Sequence, residues 1–167
     1  MSRSSLYNVL ALPDAFQTWQ FDLFFPYIPG WSDNIPLTYK CQTTSLPGFN
    51  LEPVEIALQG VTKKEAGRAT YNHTFPMTFL EVSDQSTRRA FRAWRETCRS
   101  QKNNTGSVSS AYKVNGQIVL YDNQPTETHT MIVFGMWPET VDDLGLEGNS
   151  STAGMLSVTC SYDFTDE

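Results

Sequence analysis

Phe134-Gly135-Met136-Trp137-Pro138 leads past the acids Glu139, Asp142, Asp143 and Glu147 into a closing run, Leu156-Ser157-Val158-Thr159-Cys160-Ser161-Tyr162-Asp163-Phe164. Strand side chains alternate with period two, so Leu156, Val158, Cys160, Tyr162 and Phe164 point one way and Ser157, Thr159, Ser161 and Asp163 the other. One face is apolar and the other polar. That is the pattern of a strand lying on a core with its back to water.

Working outward, strand signals dominate. Trp19, Phe21, Leu23 and Phe25 alternate with Thr18, Gln20 and Asp22, which predicts a half-buried opening strand. Leu51 to Gln59 and Ala69 to Val82 read as strands flanking a polar connector, Gly60 to Arg68. Ile118 to Tyr121 and Thr128 to Trp137 read as an antiparallel pair around the turn-forming Asp122-Asn123-Gln124-Pro125. Met131 to Met136 is apolar on both faces, as expected between two layers. The pattern predicts burial of Trp19, Trp94 and Trp137.

One helix is expected, over 84–99, with Ser83 or Asp84 capping it. Ala90, Phe91, Trp94 and Cys98 form its apolar stripe. Arg88, Arg92, Arg95 and Arg99 form a basic strip beside that stripe. Asp84 with Arg88 and Arg92 with Glu96 are candidate helix-neighbour ion pairs. The polar stretch 100–110 reads as a mobile loop.

Composition excludes several classes. The chain has 167 residues, 40% hydrophobic and 13% aromatic, which argues for one folded domain over 1–167. No run approaches the roughly 20 apolar residues of a membrane span, so no stable membrane association is expected. The first residues lack a signal-peptide pattern, which points to a cytosolic start. Cys41, Cys98 and Cys160 are odd in number and widely spaced, as expected of reduced thiols. The net charge is -6, from 18 acids and 12 bases. Such a surface grips nucleic acid poorly, because affinity for phosphates comes from cations. His73 and His129 have no third ligand at metal-binding spacing. No nucleophile elbow or phosphate loop is present. No catalytic residue, metal or cofactor is expected.

The ending described first resembles the tail tube proteins of contractile bacteriophages, a family related in fold to pyocin and type VI secretion tube proteins. Lys40-Cys41-Gln42-Thr43-Thr44-Ser45-Leu46-Pro47-Gly48 is similar to the family's early strand and Leu-Pro turn. Tyr71 to Val82 is similar to its central strand, and the helix at 84–99 to its long helix. The N-terminal segment 1–15 and the proline-rich Phe25 to Pro36 fall outside the likeness. The resemblance implies a mainly β fold, a sandwich or barrel of two antiparallel sheets with one flanking helix. It also implies subunits that assemble as hexameric rings stacked into a tube.

On that resemblance the polar strand positions Gln20, Asp22, Thr74, Thr78, Thr159, Ser161 and Asp163 are candidates for the channel lining. The family's hairpin reaches toward the next ring, so Lys63, Lys64 and Arg68, in 60–68, are expected to meet an acidic surface such as Glu139, Asp142, Asp143 and Glu147. Arg88, Arg92, Arg95 and Arg99 are candidates for a sheath or subunit contact, and Tyr27, Trp31 and the segment 26–36 for interface anchors. The implied partners are further copies of the chain, a tail sheath, baseplate and tail terminator proteins, a tape measure protein in the lumen and DNA in passage. The implied place is a virion tail assembled in the host cytoplasm. The alternatives are a tube of a phage-derived particle or secretion system, or a monomeric ligand-binding β-sandwich.

Overall fold

The structure, a computed structural model, describes residues 10–11, 15–32, 37–149 and 151–167. The segment 1–15 therefore lies almost wholly outside the described residues, as do residues 33–36 of the proline-rich stretch.

Among the described residues nine strands are present: β1 (Phe21–Phe24), β2 (Cys41–Thr44), β3 (Phe49–Leu58), β4 (Val61–Tyr71), β5 (Thr74–Leu80), β6 (Val114–Tyr121), β7 (Glu127–Val141), β8 (Met155–Ser161) and β9 (Phe164–Asp166). With them go α1 (Leu37–Lys40), α2 (Ser86–Cys98) and α3 (Ser109–Tyr112). Seven strands form one antiparallel sheet in the order β1-β6-β7-β8-β5-β2, with β9 also pairing β7. It folds on itself at β7, whose first part pairs with β6 and β9 while Trp137 to Val141 pairs with β8. The result is two layers sharing one strand, as the family likeness implies. β1 and β8, the two strongest alternating strands, belong to the same sheet with β6 and β7 between them.

Leu23, Ile118, Met131 and Val133 of one layer meet Phe75, Met77, Phe79, Leu156, Val158 and Cys160 of the other in a single core. The bend in β7 is at Gly135, where φ is +67°. There the β6 register slips between Val114 and Gly116, so Val133 and Met136 both point inward and are fully buried. A bulge of this kind turns a strand from one layer to the next. Asn115 Oδ1 accepts the Gly135 N–H at 3.1 Å, and Asp163 N–H donates to the Phe134 carbonyl at 2.9 Å. Lys113 Nζ donates to both Asp163 carboxylate oxygens at 2.6 and 2.7 Å.

α2 buries Ala90, Phe91 and Trp94, as its stripe predicts, against Phe79 and Phe25. Its start differs from expectation. Asp84 accepts the Ser86 N–H, but the N-cap residue is Gln85, and Glu81 from the end of β5 accepts the Thr87 and Arg88 N–H groups. A carboxylate there satisfies helix donors that have no partner within the helix. Neither expected helix-neighbour ion pair is present among the described residues. Asp84 is engaged by Ser86, and Glu96 accepts the Gln101 N–H. Side-chain bonds from Ser86 and Ser100, and after them the backbone N–H bonds of Ser86 and Gln101, hold the Asp84 and Glu96 carboxyls below their usual pKa.

The expected mobile loop 100–110 is tied down. Ser100 N–H bonds the Thr105 carbonyl, Ser107 N–H the Cys98 carbonyl, and its end forms α3. Trp94 Nε1 donates to the Tyr112 carbonyl at 2.7 Å, fixing α3 to α2. Trp94→Phe is expected to cost about 1–3 kcal/mol, since the buried carbonyl loses its partner. A melting temperature within a degree of wild type would show that water replaces the indole.

Trp19 corrects another expectation. It is 72% exposed, its Nε1 bonded to Gln17, because residues 18–19 form a turn and strand alternation begins only at Phe21. Trp94 is fully buried and Trp137 half-buried against Tyr112.

Cys41 and Cys98 are half-buried, Cys160 fully, and all are free thiols. Burial pushes Cys41 up to about 12 and Cys98 to about 11, and Cys160 further in the same direction. Thiols raised from 9.0 contribute stability that is whole below that pH and lost as pH climbs toward 11–12. Iodoacetamide at pH 8 is expected to label all three only after denaturation. Rapid native labelling of Cys98 would contradict the geometry.

Candidate assembly surfaces

Of the residues read as a polar connector, 60–68, all but Gly60 belong to β4. β3 and β4 pair from Phe49↔Tyr71 to Leu58↔Val61 across a Gln59-Gly60 turn with φ of +48° and +84°. Positive φ at both positions is the type I′ geometry that matches strand twist. Among the described residues this hairpin pairs with no other strand, and nearly every residue along it is exposed. A two-stranded hairpin alone is marginal in water.

Its two faces split by height. Near the base, Phe49, Leu51, Ala69 and Tyr71 share one face; toward the tip, Val54, Ile56, Leu58 and Val61 share the other. Phe49, Leu58, Val61 and Tyr71 are 65%, 66%, 70% and 49% exposed.

The lysines of this segment have partners within the hairpin. Lys64 pairs with Glu55 across the strands at 2.8 Å, and Lys63 with Glu65 at 2.5 Å. Glu52, Glu55 and Glu65 balance Lys63, Lys64 and Arg68, which leaves the hairpin neutral. Pairing brings in the two β3 acids that reading 60–68 alone leaves out.

The acidic group is likewise placed otherwise. Glu139 lies within β7, where it accepts the Ser161 hydroxyl. Glu139, Asp142 and Asp143 line a cleft together with Arg88, Arg92 and Arg95 of α2. The basic strip and the acids thus face each other within one chain. Glu147 is exposed in the following loop, and Arg99 stands apart, bonded to Asn104 Oδ1 at 3.2 Å. Trp31 is half-buried beneath the Arg89 guanidinium, 5.3 Å from the ring centre, and Tyr27 is 55% exposed.

Of the polar strand positions, Thr74, Thr78, Thr159 and Ser161 come together. β5 and β8 pair Thr74↔Ser161, Pro76↔Thr159 and Thr78↔Ser157, and Thr43 continues the last row on β2. They form one hydroxyl-rich outer face opposite Phe75, Met77 and Phe79. Three candidates do not join it. Gln20 is 7% exposed, its amide donating to the Asp122 carbonyl at 2.9 Å. Asp22 is on β1 in the other layer. Asp163 is held by Lys113 under the β7 bend.

Among the described residues no cluster of three or more His, Cys, Asp and Glu is placed to hold a metal. His73 marks the hairpin's root with φ +55°, between the rings of Tyr71 and Tyr162. No described helix is long and apolar enough to cross a membrane.

The described residues thus form a two-layer β fold with an exposed two-stranded hairpin that pairs with no other described strand. The profile of the phage tail tube protein family matches residues 2–164, and the chain belongs to that family. No curated protein matches it by sequence. Its fold is similar to that of the anti-feeding prophage tube terminating cap, with TM-score 0.64 and 14% identity over 98% of this chain and 97% of that one. It is similar too to a chain of the sheath/tube terminator of the extracellular contractile injection system PVC, with TM-score 0.65 and 14% identity over 93% and 98% of the two chains. A chain of the PVC sheath-tube complex gives TM-score 0.61 and 15% identity over 99% and 97%.

Proposed function

We propose that this chain is the tube subunit of a contractile bacteriophage tail, assembling as hexameric rings that stack into a hollow conduit for DNA ejection. The observation that carries the reading is the β3–β4 hairpin, a neutral projection with apolar side chains on both faces and nothing to cover them. Exposed apolar surface of this extent marks a contact site, and membership in the tail tube family supports further copies as what covers it. The ends of the sheet at β1 and β2 support the same reading, since unpaired strand edges are satisfied when copies join in a ring.

In such a tube the face bearing Thr74, Thr78, Thr159 and Ser161 lines the channel. Neutral hydroxyls hold water without binding phosphate, and the net charge of -6 repels DNA in passage. A tape measure protein occupies that lumen during assembly in the host cytoplasm. The sheath surrounds the tube, with α2 and its arginines as its contact, and baseplate and terminator proteins cap the ends. No chemistry is required of any residue. Tubes of phage-derived particles and secretion systems share this geometry with another cargo.

Electron microscopy of the purified protein at high concentration, seeded with tube ends, tests the proposal. Hollow tubes of uniform width with six-fold end views are expected. A dispersed monomer under seeding would overturn it and leave a ligand-binding sandwich.

A further inference from the structure

Cys98 and Cys160 converge on one part of the core. Cys160 lies on the inward face of β8 with Leu156 and Val158, fully buried, and its register partners are Phe75 of β5 and Pro138 of β7. Cys98 is the last residue of α2, half-buried and packed on the same core.

Two tie points set how the helix lies over the sheet. The Phe91 ring meets that of Phe79, 5.1 Å away, and Phe79 is registered with Leu156. Trp94 bonds the Tyr112 carbonyl, and the Tyr112 ring meets Trp137, which is registered with Ser161. α2 and β8 therefore run the same way, from the Leu156 end toward Ser161. From Phe91 to Cys98 the helix advances about 10 Å, and from Leu156 to Cys160 the strand advances about 13 Å. Both side chains face the core, so Cys98 arrives over Cys160. Burial first, and the nearness of Cys98 second, raise the Cys160 pKa. Cys41 stays apart at the Leu156 end of the sheet, registered with Phe79, its thiol donating to the Thr43 carbonyl at 3.5 Å.

We propose that Cys98 and Cys160 form an intramolecular disulfide when a peroxide oxidant reaches the chain, stapling the end of α2 to β8. Cys98, the half-buried thiol, reacts first: its sulfur takes one oxygen from hydrogen peroxide, giving a sulfenic acid and water. The Cys160 sulfur then attacks the Cys98 sulfur, and its proton leaves with the displaced hydroxyl as a second water. Two thiols and one peroxide become one disulfide and two waters. Thiols held at high pKa make the bridge slow to form, since little thiolate is present. They also make it slow to break, since such thiols are poor leaving groups in reduction. The bridge closes roughly 60 residues of chain, a loop long enough to stabilise by constraining the unfolded state. The inference concerns the single subunit and stands independently of the tube reading.

The purified chain is held in millimolar hydrogen peroxide, denatured, alkylated at its remaining thiols, digested and read by mass spectrometry, beside a dithiothreitol-treated sample. A linked peptide pair containing Cys98 and Cys160 is expected, with Cys41 alkylated and the melting temperature raised by about 5–15 °C. Cys41→Ser should behave the same. Cys98→Ala, treated alike, should show neither change, which separates the bridge from oxidation of methionines. Sulfenic or sulfinic acid at Cys98 without the linked pair, three unmodified thiols after prolonged treatment, or linkage through Cys41 overturns the proposal. A linked pair with an unchanged melting temperature overturns the staple.

Discussion

Replacing Leu58 and Val61 by aspartate is expected to leave the subunit folded and to abolish tube formation. The two residues flank the hairpin turn, are 66% and 70% exposed, and touch none of the core. The melting temperature of the free chain should therefore move by no more than a degree or two. In the proposed assembly the same positions would be covered. Each side chain withdrawn from water contributes roughly 1.5–3 kcal/mol, and a carboxylate buried without a partner adds a penalty of its own. The loss is about 3–6 kcal/mol per copy before that penalty, repeated at every subunit. Reversing Lys63 and Lys64 to glutamate should do far less, because exposed pairs such as Lys64–Glu55 are worth at most about 1 kcal/mol. Sedimentation of assembled material, beside calorimetry of the free subunit, decides the matter. Normal tubes from the double aspartate variant would move the contact elsewhere.

How legible the hairpin was follows from its physics. A strand announces itself when one face is buried, as Leu156, Val158 and Cys160 of β8 show, and a helix when its stripe is buried, as Ala90, Phe91 and Trp94 show. Phe164 leaves the expected face, since it lies on β9 and is 57% exposed. β4 has no buried face in the free chain, so 61–68 shows only charges and small residues and reads as a connector. Its acids, Glu52 and Glu55, become neighbours of the lysines only through cross-strand pairing. Gln20 shows a similar limit. Alternation marks it as polar-facing, but its amide is claimed by Asp122 and Asn123, more than a hundred residues away. Met131 to Met136 is apolar on both faces because the outward positions Ile132 and Phe134 are apolar as well as the buried Met131 and Val133, and the bulge at Gly135 then turns Met136 inward. Nothing local shows that β7 continues past Pro138 to Val141 alongside β8, so the place of Glu139 within a strand is not legible in the sequence.

Gly135→Ala is expected to give the second large effect, this time on folding. A Cβ there overlaps the Asp163 carboxylate, with the carboxyl carbon 2.7 Å away, and φ is +67°. A side chain in that left-handed conformation costs about 1–2 kcal/mol. Pushing Asp163 aside breaks its pair with Lys113 and disturbs the Asp163 N–H bond to Phe134 that starts β9. The sum is about 2–4 kcal/mol, which for a chain of this size lowers the melting temperature by roughly 5–15 °C. Adding Asp163→Gly removes the overlap and should restore part of the loss. A Gly135→Ala protein that melts like wild type would mean that the bend in β7 tolerates an ordinary residue.

The hairpin's neutrality bears on how an assembled tube answers its surroundings. Its cations and anions are already matched within the hairpin, so dilution of salt removes little from the contact. Burial of apolar surface supplies the adhesion, and that weakens on cooling and strengthens in sulfate. The proposed tubes should therefore survive transfer from cytoplasm to fresh water and shed subunits first in the cold.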